Sequence, residues 1–534
     1  MTEQISVGIA DSGGVTGLAG QLAEERIASK LTAADPTLWG PEAEHEASIR
    51  LSWTTLHQSS RPLLGEIAAL RDTLLSEGLD RIVLAGMGGS SLAPEVIANT
   101  AGVPLVVLDT TDPGQVADAL AGDLTRTVLV VSSKSGSTVE TDSHRRIFTA
   151  AFEAKGIDAA SRIVVVTDPG SPMESMARDL GYRHVFLADP HVGGRYSALT
   201  AFGLVPAGLA GADITALLDE AAAAAAVLGT DDPENPALVL GAALGEAHGT
   251  GAEKVVLADS GSGIKGFPDW AEQLIAESTG KNGTGLLPVA VEGTDAAGFA
   301  NAGTDATPVA IGPAEGTAKI YTNGPLGGLF LLWEYAVAVA GRILGINPFD
   351  QPDVEAAKVA ARSLLDKPVA DEGEPILDGV IEIHASEGWL PNGVETVSGA
   401  LNALLSAAPD YGYLAIQAYL DRIADASAIV LRPELARRSG LQTTFGWGPR
   451  FLHSTGQYHK GGHQNGVFLQ ITGTPEADLE IPDRPYTLGV LQHAQAIGDG
   501  QVLAEHGRPV LRLHLTDRAA GLVALTHAIS EVNR

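Results

Sequence analysis

The sequence predicts an α/β protein whose sheets are mainly parallel and are covered by helices on both faces. Short apolar runs recur from Arg81 onward, each between turn residues, and longer helical stretches separate them. Continuous apolar strands that alternate with helices are typical of buried parallel sheets. The first four runs lie at 82–85, 104–108, 127–131 and 163–166. We therefore expect a three-layer arrangement of helix, sheet and helix.

The pattern divides the first half of the chain into two parts. Residues 1–78 are predicted to be a helical segment that packs on the α/β units after it, with amphipathic stretches around 18–31 and 63–75. Residues 79–236 form the first α/β unit, and the segment D-D-P-E-N-P at 231–236 marks its end.

A second α/β unit is predicted from residue 237 to residue 534. It begins with the strand K-V-V-L-A at 254–258 and includes further strands at 467–471 and 510–515. A last helix is predicted near 521–532.

Composition excludes several classes of protein. The chain has 534 residues and no cysteine, which rules out a disulfide framework, thiol catalysis and cysteine-ligated zinc. The formal net charge of −31 makes nucleic acid an unfavourable partner, because binding to a phosphate backbone needs clustered lysine and arginine. A buried site can still be locally cationic and bind a small anion.

Neither the N-terminal residues nor the longest apolar run predicts contact with a membrane. Residues 1–10 are polar and carry no basic cluster before an apolar stretch, so we expect no secretory signal and a cytoplasmic location. The apolar run at 326–340 is shorter than the roughly 20 residues of a membrane span, and Glu334 interrupts it. We expect a buried helix there.

The segment S-S-K-S-G-S-T-V-E-T at 132–141 is the strongest functional signal. It follows an apolar strand, precedes a predicted helix, and carries four hydroxyls and one ammonium in a short turn. Hydroxyls and backbone N–H groups at the start of a helix can hold a phosphate, and the helix dipole favours an anion there. The alternative is an ordinary helix with a serine or threonine cap.

The segment G-M-G-G-S-S at 86–91 follows the first strand of the unit. It does not fit the dinucleotide pattern G-x-G-x-x-G, because Ser91 occupies the last position. It suits a tight turn whose amides and Ser90 hydroxyl face a small anion, although a purely structural turn is the alternative.

Three further segments carry candidates for acid–base or electrostatic chemistry. Glu277 lies near the C-terminal end of a predicted helix, where a carboxylate gains no stabilisation from the helix dipole. This mildly unfavourable position suggests that the side chain has a functional role. Arg195 follows two glycines and could stabilise an oxyanion, or be a surface arginine. The spacing of His453, His459 and His463 matches no standard zinc set, so an acid–base histidine is preferred to a metal ligand.

Taken together, these segments resemble the phosphoglucose isomerase family. The resemblance extends over residues 86–458, and its joint pattern is far more specific than any single piece. The matching strings are G-M-G-G-S-S-L-A-P, S-S-K-S-G-S-T-V-E-T, G-G-R-Y-S, E-S-T-G-K, F-D-Q-P-D-V-E-A-A-K and L-H-S-T-G-Q-Y. The long C-terminal part resembles the isomerase portion of bacterial transaldolase fusions, but no transaldolase half is found.

The resemblance implies a role for each matching residue. Glu277 resembles the proton-transferring base and Arg195 the residue that stabilises an enediolate, while Lys358 and His453 resemble the pair that opens the sugar ring. The substrate phosphate would be bound by Ser90, Ser133, Lys134, Ser135, Thr138 and Gln351. Neither metal nor cofactor is implied.

The order of these residues departs from the family pattern. The family places its histidine between the glutamate and the lysine, yet no histidine lies between Glu277 and Lys358, and His453 follows both. We infer a rearranged second unit, and His459 remains a rival to His453. The family's homodimers share active-site residues, so His453 could come from a neighbouring subunit.

The implied fold is a pair of sugar-isomerase modules, and the implied reaction is the interconversion of glucose 6-phosphate and fructose 6-phosphate. One alternative is an isomerase that also accepts mannose 6-phosphate. Another is a module that senses sugar phosphates without catalysis, because a fold does not fix a function.

Overall fold

The computed structural model describes residues 4–313, 316–352 and 374–532. Its strands form three mostly parallel sheets flanked by helices, which confirms the predicted α/β class. Lys358 lies outside the described residues.

The N-terminal segment is mainly helical and begins with a short strand. Its elements are β1 (Ser6–Ile9), α1 (Gly13–Glu24), α2 (Ile27–Thr32), α3 (Glu44–Ser48), α4 (Leu56–Ser59) and α5 (Pro62–Ser76). The sequence pattern did not predict β1, because this strand forms through a distant antiparallel pairing with Ile320–Asn323 rather than through a local preference.

The first sheet has five parallel strands in the order β3-β2-β4-β5-β6. The strands are β2 (Arg81–Gly86), β3 (Val106–Leu108), β4 (Thr127–Ser132), β5 (Ile163–Thr167) and β6 (His184–Leu187). The helices are α6 (Leu92–Ala101), α7 (Pro113–Ala121), α8 (Val139–Ala154), α9 (Pro172–Asp179) and α10 (Ala201–Ala210). Gly86 pairs with Ser132, so the loops that follow β2 and β4 start side by side at one edge of the sheet.

The second sheet follows helices α11 (Ile214–Leu228) and α12 (Pro236–Gly249). Its order is β1-β10-β9-β7-β8, and only β1 is antiparallel to its neighbour. The elements are β7 (Lys254–Asp259), α13 (Phe267–Thr279), β8 (Leu287–Ala290), β9 (Ala306–Ile311), β10 (Ile320–Asn323) and α14 (Leu326–Leu344).

Residues 374–532, here called the C-terminal unit, form a third sheet with an apolar core of its own. The strand order is β11-β12-β16-β15-β13-β14. Its strands are β11 (Ile376–Asp378), β12 (Ile381–Ala385), β13 (Tyr413–Tyr419), β14 (Gln442–Trp447), β15 (Gly466–Gly473) and β16 (Val510–Leu515). Its helices are α15 (Val397–Ala407), α16 (Leu431–Ser439), α17 (Gly456–Gly461), α18 (Leu488–Glu505) and α19 (Arg518–Ser530). These residues belong to the predicted second unit, 237–534, whose other described strands lie in the second sheet.

Helix α14 is the apolar segment that the sequence analysis placed in the interior. It is 19 residues long, so by length and composition it could cross a membrane, and the expectation that the segment is too short was wrong. The expectation of a buried helix is confirmed, since 89% of its most apolar stretch is buried inside the protein. Burial raises the pKa of Glu334, in the middle of this helix, well above its usual range.

Candidate functional site

The loop between β4 and α8 (residues 133–138, here called the hydroxyl loop) concentrates polar atoms at a helix start. Thr138 occupies the N-cap position of the 16-residue helix α8. The Ser133 and Thr138 hydroxyl oxygens lie 2.9 Å apart, and the backbone N–H of Gly136 donates to Ser133 Oγ at 3.2 Å. The first turn of a helix offers free N–H groups and a positive dipole end, so this arrangement favours an anion.

The cation of the hydroxyl loop is partly neutralised. Lys134 forms an ion pair with Asp168, and both side chains are partly buried. Burial raises the pKa of Asp168, and Lys134 offsets that effect only in part. Lys134 can therefore contribute to an anion site, although its charge is shared with Asp168.

Glu277 lies in the last turn of α13, and its side chain is buried rather than exposed. One carboxylate oxygen accepts a hydrogen bond from Arg195 Nη1 at 3.2 Å, and the other accepts from Gln273 Nε2 at 3.2 Å. These two donors fix the carboxylate at the wall of a cleft.

Arg195 lies behind Glu277, and its side chain is only 3% exposed. Its guanidinium donates to the carbonyls of Pro348 and Asp350, both at 2.8 Å, and to Gln351 Oε1 at 3.0 Å. Arg195 therefore connects the carboxylate to the segment that carries Gln351. It does not itself line the cleft.

Lys281 holds the same segment from the other side, and the sequence analysis did not select it. Its Nζ donates to the carbonyls of Asn347 and Asp350 and to Asp350 Oδ1, each at 2.7 Å. Burial, together with the nearby Arg195 charge, lowers the pKa of Lys281 to about 8 despite the pairing with Asp350. The signal was present, because Lys281 ends the string E-S-T-G-K.

His453 reaches the cleft from a short 3-10 turn, Arg450–His453, in the C-terminal unit. Its Nε2 lies 3.1 Å from Glu140 Oε1, and its backbone carbonyl accepts from Gln273 Nε2 at 2.9 Å. An ionised Glu140 can only accept in this pair, which requires the proton to be on Nε2. Gln495 Nε2 also donates to Glu140 Oε1, at 2.7 Å, which fixes the carboxylate.

Glu140 was missed as a functional candidate although it lies in the string S-S-K-S-G-S-T-V-E-T. Its side chain is 4% exposed in the first turn of α8. A buried acid at that position needs a donor, and the sequence could not show that a residue 313 positions later provides it.

The structure puts His459, the rival histidine, outside the cleft. Its side chain is buried against Tyr413 and Phe468, with Nδ1 3.1 Å from the Tyr413 hydroxyl. Burial and the nearby charges of Lys460 and Arg508 lower the pKa of His459 well below its usual value. His463 pairs with Glu253 instead. No group of three or more potential metal ligands occurs within residues 4–313, 316–352 and 374–532.

One cleft of about 400 Å³ collects the predicted residues. The candidates that line it are Ser90, Ser133, Lys134, Ser135, Thr138, Glu277, Gln351 and His453. The hydroxyl loop and the Glu277 carboxylate therefore face the same space, although the loop follows a strand of the first sheet and Glu277 lies on a helix beside the second. A larger cavity of about 700 Å³ in the C-terminal unit is lined by none of the predicted residues.

Three mostly parallel sheets, with a hydroxyl loop and a buried carboxylate on one cleft, define a protein of the sugar-isomerase fold class. Two solved structures share this fold with TM-scores of 0.56. One is a hypothetical protein of Thermus thermophilus, 25% identical, with 66% of this chain and 96% of that chain aligned. The other is a glucose-6-phosphate isomerase of Chlamydia trachomatis, 20% identical, with 68% of this chain and 89% of that chain aligned.

The chain belongs to the phosphoglucose isomerase family. The family's sequence pattern matches residues 73–309. A glucose-6-phosphate isomerase of Synechococcus elongatus is 31% identical over 407 residues, which cover 64% of this chain and 76% of the relative. A probable glucose-6-phosphate isomerase of Haloarcula marismortui is 29% identical, with 55% of this chain and 80% of the relative aligned. The family pattern ends before the C-terminal unit begins.

Proposed function

We propose that this chain catalyses the reversible isomerisation of glucose 6-phosphate to fructose 6-phosphate. Family membership supports this reaction, since the cyanobacterial and archaeal relatives carry the name of that enzyme. The single observation that carries the proposal is the shared cleft of Thr138 and Glu277, because a phosphate site and a base must face opposite ends of one six-carbon substrate.

The substrate phosphate binds at the hydroxyl loop and the start of α8. Ser133, Ser135 and Thr138 offer hydroxyls there, Ser90 adds one from the neighbouring loop, and Lys134 and Gln351 complete the set. Such binding, far from the reacting carbons, provides energy that orients the substrate. In this assignment residues 79–236 bind the phosphate, while the following α/β layer supplies the base.

Ring opening is assigned to His453, with Lys358 as its partner. Glu140 holds the Nε2 proton of His453, so Nδ1 is the nitrogen that exchanges a proton with the substrate. One proton moves from the C1 hydroxyl and another reaches the ring oxygen, which leaves an open-chain aldehyde.

Glu277 then transfers the proton between the two carbons. It removes the C2 proton, the electron pair forms the C1–C2 double bond of a cis-enediolate, and the C1 carbonyl oxygen takes the negative charge. The proton of the C2 hydroxyl passes to that oxygen, and the same carboxyl group returns its proton to C1, which leaves a ketone at C2. Arg195, 3.2 Å from Glu277 Oε2, offsets the developing negative charge from behind the carboxylate. Proton transfer between adjacent carbons needs neither a metal nor a nucleotide in this scheme.

The assembly and location of the protein are part of the same proposal. Family resemblance supports a homodimer that works in the cytoplasm, with a small sugar phosphate as its substrate. We propose no nucleic-acid or membrane partner, in line with the net charge of −31.

A coupled assay tests the reaction. Purified protein should convert fructose 6-phosphate to glucose 6-phosphate, and a glucose-6-phosphate-specific dehydrogenase detects the product. Unphosphorylated fructose should not react. A parallel assay with mannose 6-phosphate detects the dual-specificity alternative. Fructose 6-phosphate binding without turnover would contradict the proposal and favour the sensor alternative.

Lys281→Met should lower kcat/KM by roughly 10-fold or more at pH 7, because a charged donor to three acceptors is lost and each such bond is worth about 1.5–3 kcal/mol. In the unaltered protein, kcat/KM should also fall as pH rises through about 8, where Lys281 loses its proton. That alkaline fall should disappear in the variant.

Lys254→Met is the matched control. Lys254 is equally buried and pairs with Asp305 at 2.9 Å, whereas Lys281 pairs with Asp350, next to Gln351. It should keep both the rate and the alkaline fall. Equal losses in the two variants would show that Lys281 acts only through general stability.

A further inference from the structure

His453 reaches the cleft of its own chain. The cleft is lined by side chains from three parts of one chain, namely Thr138 at the start of α8, Gln273 on α13 and His453 in the C-terminal unit. Gln273 bridges two of the candidate groups, because its Nε2 donates to Glu277 Oε1 and to the His453 carbonyl. Within the described residues, the histidine of this cleft therefore comes from the same chain, and no second copy of the protein is needed to supply it.

A cluster of four charges connects the C-terminal unit to the first sheet beside this histidine. Glu95 on α6 accepts from Arg422 at 2.7 Å and from Arg450 at 2.6 Å. Asp109, which follows β3, lies 3.3 Å from Arg450 and 3.9 Å from Arg422. Here this set of Glu95, Asp109, Arg422 and Arg450 is called the interface charge cluster.

The interface charge cluster is largely removed from solvent. Asp109 is 1% exposed, and the other three side chains are 14–19% exposed. Burial raises the pKa of Glu95, but Arg450 and Arg422 outweigh it and lower the pKa to about 2. Removing one partner of a buried pair typically costs about 3–5 kcal/mol, because the other charge stays buried without compensation, so loss of either arginine would disturb this arrangement.

We propose that the C-terminal unit supplies His453 to the active site of its own chain, and that Arg450 is the positioning residue that fixes His453 in the cleft. This inference rests on the proposed function. A homodimer remains compatible with it, but neither subunit would need the histidine of the other.

The path from the cluster to the histidine is short. Arg450 and His453 are the first and last residues of one 3-10 turn, so anchoring the guanidinium fixes the start of the turn. A second contact fixes the imidazole, because Glu140 is held by Gln495 of α18. A histidine from another copy would have to displace this turn, together with the contacts of Arg450 to Glu95 and Asp109 within the chain.

A mixing experiment tests the same-chain histidine. His453→Ala and Glu277→Gln chains, with different tags, are coexpressed and doubly tagged oligomers are purified. Sites shared between subunits would restore up to about half of wild-type activity, because each doubly tagged dimer would then hold one intact site in two. We expect no recovery above the single variants, and recovery near that half would overturn the proposal. If the wild-type chain is an active monomer on sizing, the same-chain site is supported directly.

The role of Arg450 is tested with Arg450→Lys, which keeps a charge but loses the forked contact to Glu95 and Asp109. The control is Arg432→Lys, because Arg432 is also buried and ties the C-terminal unit to Glu292, away from the cleft. We expect Arg450→Lys to lower kcat for cyclic glucose 6-phosphate by roughly 10-fold. The inhibition constant of 6-phosphogluconate, an open-chain sugar acid phosphate, should stay within about twofold.

The two readouts separate positioning from stability. A rate loss with an unchanged inhibition constant in Arg450→Lys, and no rate loss in Arg432→Lys, supports positioning. Equal effects in both variants, or a parallel loss of 6-phosphogluconate binding, would overturn it. The activity of the wild-type chain is measured before any variant is compared. If it has no isomerase activity, that result contradicts the proposed function itself.

Discussion

Glu277→Gln should lower kcat for the interconversion of glucose 6-phosphate and fructose 6-phosphate by about 10³-fold, within the usual range of an acid–base group. The amide cannot accept the C2 proton, yet it keeps the shape of the side chain. The inhibition constant of 6-phosphogluconate should change little, since the proposed phosphate site on the hydroxyl loop does not include Glu277. Steady-state kinetics and a competition assay measure the two effects.

Glu272→Gln is the matched control on the same helix. Burial and the neighbouring Asp269 raise the pKa of Glu272 to about 8, so its carboxyl is mostly neutral at pH 7 and an amide replaces it with little electrostatic change. Its Oε1 accepts from the Ala290 N–H at 3.0 Å, which an amide oxygen can also do. A similar loss in both variants, or full turnover in Glu277→Gln, would contradict the base assignment.

Thr138→Asp should raise the KM for fructose 6-phosphate by about 100-fold or more, because a carboxylate beside the bound phosphate costs several kcal/mol. The fold should survive, since Thr138 occupies the N-cap position of α8 without a side-chain capping hydrogen bond, and aspartate is at least as good an N-cap as threonine. The KM at fixed pH and ionic strength, with inorganic phosphate as a competing ligand, measures the effect.

Thr138→Asn isolates the charge. Asparagine has the shape of aspartate and caps helices equally well, but it carries no charge and can donate to a phosphate. We expect its KM to rise far less than that of Thr138→Asp. If the two variants behave alike, the hydroxyl loop is a helix cap and not a phosphate site.

The apolar strands of the first sheet were the part of the fold that could be predicted best. Strands β2, β4 and β5 are almost wholly buried, so each contains a continuous run of Val, Ile or Leu in the sequence, whereas the half-exposed edge strand β6 was not predicted. Strand β1 could not be found in this way, because it depends on a partner over 300 residues away. The separate sheet of the C-terminal unit was also not recognised, since periodicity shows elements and not which of them share a core.

For the candidate site, the sequence could identify side chains with suitable chemistry, but not the residues that hold those side chains in place. Hydroxyls in a turn and a lone helix-end carboxylate have few structural uses, so Thr138 and Glu277 were selected. Lys281 and Glu140 both lie in strings that the sequence analysis quoted, but their contacts with Asp350 and His453 are formed only on folding. The choice between His453 and His459 likewise needed the packing around each ring.

Because the cleft draws its side chains from all three layers of the chain, function depends on how those layers sit against each other. A small separation of the C-terminal unit would remove the imidazole and open the apolar clusters that this unit shares with the other layers, while its own core stayed intact. Loss of activity on heating is therefore a more sensitive measure of this protein's stability than loss of helical signal. Stabilising substitutions are best placed at the interfaces between layers.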